Sequence, residues 1–333
     1  MRLPRITAEG SGFYHCLSRV IDRRFILQNL EKEHFHDLMR KVEIFTGVQI
    51  LTYALLDNHF HLLLHVPEKQ EISDETLLFR IAQFENGTVV QNIAQHLREA
   101  RERGDLAACQ ALHDRYLPRM HDLSAFMKLL KQRFSIWYNH QVTRKGTLWE
   151  ERFKSVLIGN SPTALIGSAA YIDLNAVRAG ITRNPKTYRY CGLGAAMGGQ
   201  AAARSGLMTL MLFAGGRGSW RQMVAQYRVI LAGILRRRGA HSKRGMAWIE
   251  ETLEQMGMVS FGELLLCRVR YFTDGVVLGG QAFVEKIFQR YRRYMGARRK
   301  DGSRPMRGGE WGGLCTLRDL RRQVITSPAP LTP

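Results

Sequence analysis

The chain has 333 residues, 45% of them hydrophobic, and carries 49 Lys+Arg against 29 Asp+Glu, a net charge of +20. That length allows one large domain or two medium ones with a core of normal size. The charge argues against a small neutral substrate and for a polyanionic partner, nucleic acid first. No stretch approaches the roughly 20 apolar residues of a membrane-spanning helix, and Met1 to Gly12 lacks an apolar signal core, so a cytoplasmic protein with no membrane partner is expected. The five cysteines (Cys16, Cys109, Cys191, Cys267 and Cys315) are scattered and form no CxxC pair, which speaks against a zinc knuckle or a disulfide framework.

In chain order, Tyr14 to Arg19 reads as a first strand. A helix follows over Glu31 to Thr46, with Phe35, Leu38, Met39, Val42 and Phe45 on one face and Gly47 as the stop. Val48 to Leu56 reads as a second strand, Asp57-Asn58 as a turn, and His59 to Val66 as a third strand ended by Pro67. Residues of about 70–120 carry weak helical patterns and charged runs, the signature of a helical insertion. Segment 124–139 reads as a firmer helix with Ser124 as its N-cap, and Leu148 to Ile158 as a fourth strand with Trp149, Phe153 and Leu157 on one face. Ser161-Pro162 opens a helix that runs to Ala179 and stops at Gly180.

The order β-α-β-β-α-β-α over 13–180 predicts an α+β fold: a ferredoxin-like, four-stranded antiparallel sheet with helices, to which the insertion and a mostly helical, basic C-terminal region are added. The expected division is a domain over 1–192, a Gly- and Ala-rich linker over 193–219, a helical accessory region over 220–295, and a basic flexible tail over 296–333. From residue 200 onward there are 23 Lys+Arg and 9 Asp+Glu, so about +14 of the +20 lies there.

Three constellations carry chemistry. His59-Phe60-His61 lies on a strand, where alternation puts both imidazoles on one face about 7 Å apart, within reach of one divalent ion; two incidental histidines on a polar face fit the spacing too. His65 shares that face, as a spare ligand or a solvated strand end. In the helix 162–179, Tyr171 and Asn175 are four apart and share a face. A phenol is a weak nucleophile unless activated, and an amide oxygen is a hard ligand that can complete a His/His/Asn set; the plainer alternative is a packed helix tyrosine with its hydroxyl at the surface. Arg144 to Lys154 forms a basic turn leading into a strand. Arg144, Lys145, Arg152 and Lys154 suit phosphate contacts, whereas Trp149 suits the core better than base stacking.

Four segments in order carry a resemblance: Phe13-Tyr14-His15 through Arg19; Asn58-His59-Phe60-His61-Leu62; Gly146-Thr147-Leu148-Trp149-Glu150-Glu151-Arg152-Phe153-Lys154; and Tyr171-Ile172-Asp173-Leu174-Asn175-Ala176-Val177-Arg178-Ala179. Together they resemble the HUH single-tyrosine transposases, in particular the REP-associated tyrosine transposases of bacteria, over about 13–192. The resemblance implies Mg²⁺ or Mn²⁺ held by His59 and His61, with Asn175 where the helix-borne third ligand is expected. It also implies a 5′-phosphotyrosine intermediate on Tyr171, and single-stranded or hairpin DNA as substrate for a monomer or homodimer. Arg19 and Arg178, inside the matching segments, join the expected DNA contacts. Ala176 departs from the proline frequent in this subgroup, a change that helix propensity tolerates, and the insertion is larger than the compact core of the family. Tyr271 to Gly279, with Phe283-Val284-Glu285, looks like the C-terminal extension of some members. The rival readings are a catalytically inactive DNA-binding regulator, an RNA-binding module, and a replication or mobilisation nuclease.

Overall fold

The computed structural model describes residues 5–236, 265, 267–320 and 324–326. Residues 237–264 and those after 326, assigned above to the accessory region and the tail, lie outside the described residues.

Strand β1 (Gly12–Arg19), helix α1 (Asn29–Thr46), β2 (Gln49–Leu55) and β3 (His59–Val66) follow one another as expected. Gly47 closes α1 with φ of 68°, a left-handed conformation that a side chain would strain. Three helices make up the insertion: α2 (Asp74–Ile81), α3 (Gly87–Glu102) and α4 (Leu106–Asp114). Next come α5 (Leu123–Gln141), β4 (Lys154–Ile158), α6 (Pro162–Asp173) and α7 (Asn175–Arg178). The cap of α5 is Asp122, not Ser124: its carboxylate accepts from the Ala125 N–H at 2.7 Å.

The expected linker is structured. It forms α8 (Gly192–Met197) and α9 (Ala201–Phe213), which lie against β2 and lead to α10 (Trp220–Arg236). Two glycines here serve close packing: a Cβ at Gly206 would collide with the Ile50 carbonyl oxygen, and one at Gly192 with the Thr52 hydroxyl; Gly199, Gly215 and Gly218 instead take positive φ. Beyond residue 266 the chain forms β5 (Arg268–Val269), α11 (Tyr271–Asp274), β6 (Val277–Gly280), α12 (Gln281–Arg290), β7 (Arg304–Pro305), β8 (Leu314–Thr316) and β9 (Ile325–Thr326). Part of the expected flexible tail is therefore ordered, with Trp311 buried and β7 and β8 in the main sheet.

The α+β class holds, but the sheet is mixed and seven-stranded, in the order β2-β3-β1-β4-β6-β8-β7. Within β2-β3-β1-β4 each pairing is antiparallel, and β6 then joins β4 in parallel. The fourth strand is shorter than expected. Residues 148–153 form a loop because Trp149 buries its ring and donates Nε1–H to Ser135 Oγ at 2.8 Å, tying that backbone to α5 rather than to a ladder.

Register decides which residues meet. Leu17 pairs with His61, Arg19 with His59, His15 with Leu63 and Val156, and Leu17 with Lys154. Paired residues share a face, so His15, Arg19, His59, His61 and Lys154 lie on one side of the sheet. Helix α6 packs on that side against β2 and β3. The opposite face carries Phe60, packed on Phe35 of α1 at a ring separation of 4.7 Å and on Trp149 at 5.5 Å, with Phe134 of α5 completing the layer. Burial on both faces explains why β3 is apolar apart from its histidines.

The insertion has its own small core of Leu77, Ile81, Ile93, Leu97, Ala100 and Cys109 on Phe45 of α1. Asp74 ties it together, accepting two hydrogen bonds from Arg101 at 3.0 Å and one contact from His113 at 2.7 Å. The Arg101 hydrogen bonds hold the Asp74 carboxyl below its ordinary value of 3.8. A depressed carboxylate contributes stability above its unfolded pKa and loses it as pH falls through the folded one. Amide exchange across 74–114 is therefore expected to accelerate as pH drops below about 4, and Asp74→Asn should remove that pH dependence.

Candidate active site

Helix α6 begins with Ser161 accepting from the Ala164 N–H at 3.3 Å and with Pro162 in the first turn. Ten consecutive residues, Ala164 to Asp173, are buried between the sheet and α9. The helix breaks at Leu174 and resumes as α7, so the single helix expected over 162–179 is two, closed by Gly180 at φ 74°. The break is pinned by Asp173, fully buried, which accepts from Tyr227 Oη at 2.6 Å, Thr52 Oγ1 at 2.8 Å and the Leu193 N–H at 3.3 Å. Burial pushes the Asp173 carboxyl up to about 6, and the three donors pull the other way. One carboxylate thus fixes the end of α6 to β2, α8 and α10.

That anchoring presents Tyr171 and Asn175 to the histidine face. A cavity of about 350 Å³ is lined by His59, His61, Tyr171 and Asn175 together with Arg19, Lys154, Arg178, Arg268 and Asp274. The His59 and His61 rings are 5.1 Å apart, and Tyr171 lies 6.3 Å from His61 and 6.0 Å from His15. The phenol ring is held between Phe272, stacked at 4.6 Å, and the Arg178 guanidinium, 4.0 Å from the centroid.

The hydrogen bonds fix the imidazoles. Asn58 Nδ2 donates to the Arg23 carbonyl at 3.1 Å, which leaves Asn58 Oδ1 to accept from His59 Nδ1–H at 2.6 Å. His59 then offers the Nε2 lone pair. His61 Nδ1 shares a 2.8 Å hydrogen bond with His15 Nε2; with His61 as donor, its Nε2 is likewise left over. Asn175 Nδ2 faces the Tyr171 and Ile172 carbonyls at 3.3 and 3.2 Å, so Oδ1 is its unspent group. Two imidazole nitrogens and an amide oxygen around one cavity fit a divalent ion of intermediate to hard character. Among the described residues no group of three or more His, Cys, Asp or Glu forms a competing site.

Electrostatics keep the imidazoles neutral, as metal ligation requires. Burial, helped by the charges of Arg19, Arg268 and Arg178, pushes His59 down to about 3. Burial also lowers His61 well below its ordinary range and takes His15 to about 4.

Of the expected DNA contacts, Arg19 and Lys154 line the cavity. Arg178 lines it too, but is buried and spends its guanidinium on the Tyr171 and Leu265 carbonyls; it is a support for the tyrosine rather than a free phosphate ligand. Arg144, Lys145 and Arg152 lie outside the cavity, on the loop between α5 and β4, where Arg144 bonds Asn139 and the Thr147 carbonyl. Sequence reasoning gave no role to His15, whose alternation with Leu17 and Arg19 was the available signal. Phe272 and Asp274 lie in the segment likened above to a C-terminal extension, which carried no assigned chemistry, and Arg268 lies just before it. His65 is at the other end of β3, bonded to Ser11 and Gln49.

Residues 11–102 match a family model described as IS200-like transposase. Over that segment the chain resembles IS200-like transposases, as its motifs suggested. The match contains β1, β3 and both cavity histidines; Tyr171 lies beyond it. Among solved structures, a REP-associated tyrosine transposase bound to a REP hairpin aligns at 15% identity with a TM-score of 0.38, over 60% of this chain and 87% of that one. No curated protein matches. No helix of the described residues is long and apolar enough to cross a membrane.

Proposed function

We propose that this chain is a metal-dependent single-strand DNA endonuclease and strand transferase, a transposase acting in the cytoplasm on hairpin DNA as a monomer or homodimer. The observation that carries the reading is the convergence of His59, His61, Asn175 and Tyr171 on one cavity. Strands β2-β3-β1-β4 with α1 and α6 are read as its ferredoxin-like unit.

In this reading the net charge of +20 gathers a DNA strand, and Arg19 and Lys154 receive the scissile phosphate. Arg178 and Phe272 orient the phenol from both sides of its ring. Tyr171 Oη attacks phosphorus in line: the O–P bond forms, the P–O3′ bond breaks, the phenol loses its proton and the departing 3′ oxygen gains one. The protein is left joined to the 5′ phosphate. Because a phosphodiester is conserved, a second 3′ hydroxyl can reverse the step and transfer the strand without an energy cofactor. Mg²⁺ or Mn²⁺, held by His59, His61 and Asn175, would supply Lewis-acid stabilisation of phosphate charge.

The test is incubation of a labelled hairpin, taken from imperfect palindromes flanking the gene, with the full chain. A denaturation-stable adduct is expected with Mn²⁺ and none after chelation; His61→Ala should lower its yield by about 10²-fold or more. Adduct formation undiminished by chelation would contradict the metal role. A second reading, a catalytically inactive DNA-binding regulator, is favoured by the burial of Tyr171, 2% exposed beneath Phe272. It predicts hairpin binding with no adduct under any metal.

A further inference from the structure

The cations around the cavity are not equivalent. Lys154 is paired with Asp274 at 3.1 Å, and Arg19 faces Glu150 at 3.9 Å. Arg178 is buried and committed to backbone carbonyls. Arg268 is exposed on β5, lines the same cavity, and has no acidic partner among the described residues. Arg19 lines that cavity with it, and burial together with the Arg268 charge lowers the Arg19 pKa, while Glu150 and Asp274 act the other way. An anion placed in a cavity lined by two guanidiniums is stabilised by both. An arginine presents a planar fork that matches two phosphate oxygens, which a lysine cannot reproduce.

We infer that Arg268, supplied by the C-terminal region from outside the segment that resembles IS200-like transposases, binds the non-bridging oxygens of the DNA phosphate beside His59 and Tyr171. The inference rests on the cleavage reading above for its catalytic consequence, but the contact itself does not. Its position is defined by the fold: β5 pairs with β9, and α11 follows directly, carrying Phe272 onto the Tyr171 ring and Asp274 onto Lys154. The segment that shelters the phenol therefore also brings the fork. As charge builds on the phosphate oxygens during attack, a fixed guanidinium at that place is worth more in the transition state than in the bound ground state.

The experiment uses the full chain and a labelled DNA hairpin with a single-stranded flank. Binding is measured against salt in a Tyr171→Phe background, and single-turnover cleavage in the Tyr171 chain. Arg268→Ala is expected to reduce the slope of log Kd against log salt by about 0.7, one phosphate contact on a single strand. It should slow cleavage by about 10²-fold while weakening binding much less. Arg268→Lys, which keeps the charge and loses the fork, should keep the slope and recover part of the rate. An unchanged slope for Arg268→Ala overturns the proposal whatever the rate does. A chain that never cuts, yet loses slope on Arg268→Ala, removes the cleavage reading and leaves the phosphate contact standing.

Discussion

Replacing Tyr171 with phenylalanine is expected to abolish the covalent protein–DNA adduct while leaving the protein folded and able to bind DNA. The hydroxyl makes no hydrogen bond among the described residues, so its removal leaves no buried donor behind. The ring keeps its stack on Phe272 and its contact with Arg178. The stability change should stay below about 1 kcal/mol. The chemical change is complete, because no other oxygen replaces the nucleophile. Denaturing electrophoresis of labelled hairpin with the variant checks the first point and thermal unfolding the second. Full adduct yield from Tyr171→Phe would exclude this tyrosine.

The second large effect is expected at Asp173, for stability rather than chemistry. Its carboxylate serves Tyr227, Thr52 and Leu193 at once, in a fully buried position. Asp173→Ala strands a hydroxyl pair and a backbone N–H, at about 1–3 kcal/mol for each group left unpaired, so a loss of about 3 kcal/mol or more is expected. Asp173→Asn should cost far less. The amide oxygen still accepts from Thr52 and Leu193, and the Tyr227 hydroxyl can turn to accept from the amide nitrogen. Denaturant unfolding of the two variants measures the difference; equal losses would show that shape rather than hydrogen bonding governs the site. Tyr171 and Asn175 flank this residue, so Asp173→Ala should also lower adduct yield in the fraction that remains folded.

The parts of this architecture written in local pattern are legible in the sequence. His59 to Val66 reads as a strand because it is a bounded apolar run of the right length, and β3 has those bounds. Ser161-Pro162 marks the start of α6 through capping chemistry that depends on neighbours only. The convergence of His59, His61, Tyr171 and Asn175 needed the motif order as well as spacing, since each pair alone fits a plain structural role.

What escaped the sequence depends on distant partners. Val277 to Gly280 and Leu314 to Thr316 are too short to show a period, and they become strands because β4 offers an edge to the first and the first offers one to the second. The Gly- and Ala-rich stretch resembled a linker because small residues also serve loops, whereas here Gly192 and Gly206 admit α8 and α9 close to β2. Trp149 was readable as core, but not the loop that its indole N–H imposes on residues 148–153. Arg268, Phe272 and Asp274 reach the cavity across about a hundred residues of chain, a distance over which no periodicity carries information.

The most direct measurement is the attachment point of trapped DNA. An adduct formed with Mn²⁺ is digested with protease and nuclease, and the modified peptide is sequenced by mass spectrometry. A nucleotide joined through its 5′ phosphate to Tyr171 is the predicted result. Attachment to any other residue, or through a 3′ phosphate, would contradict the proposal that the sheet histidines and this helix tyrosine act on one phosphate.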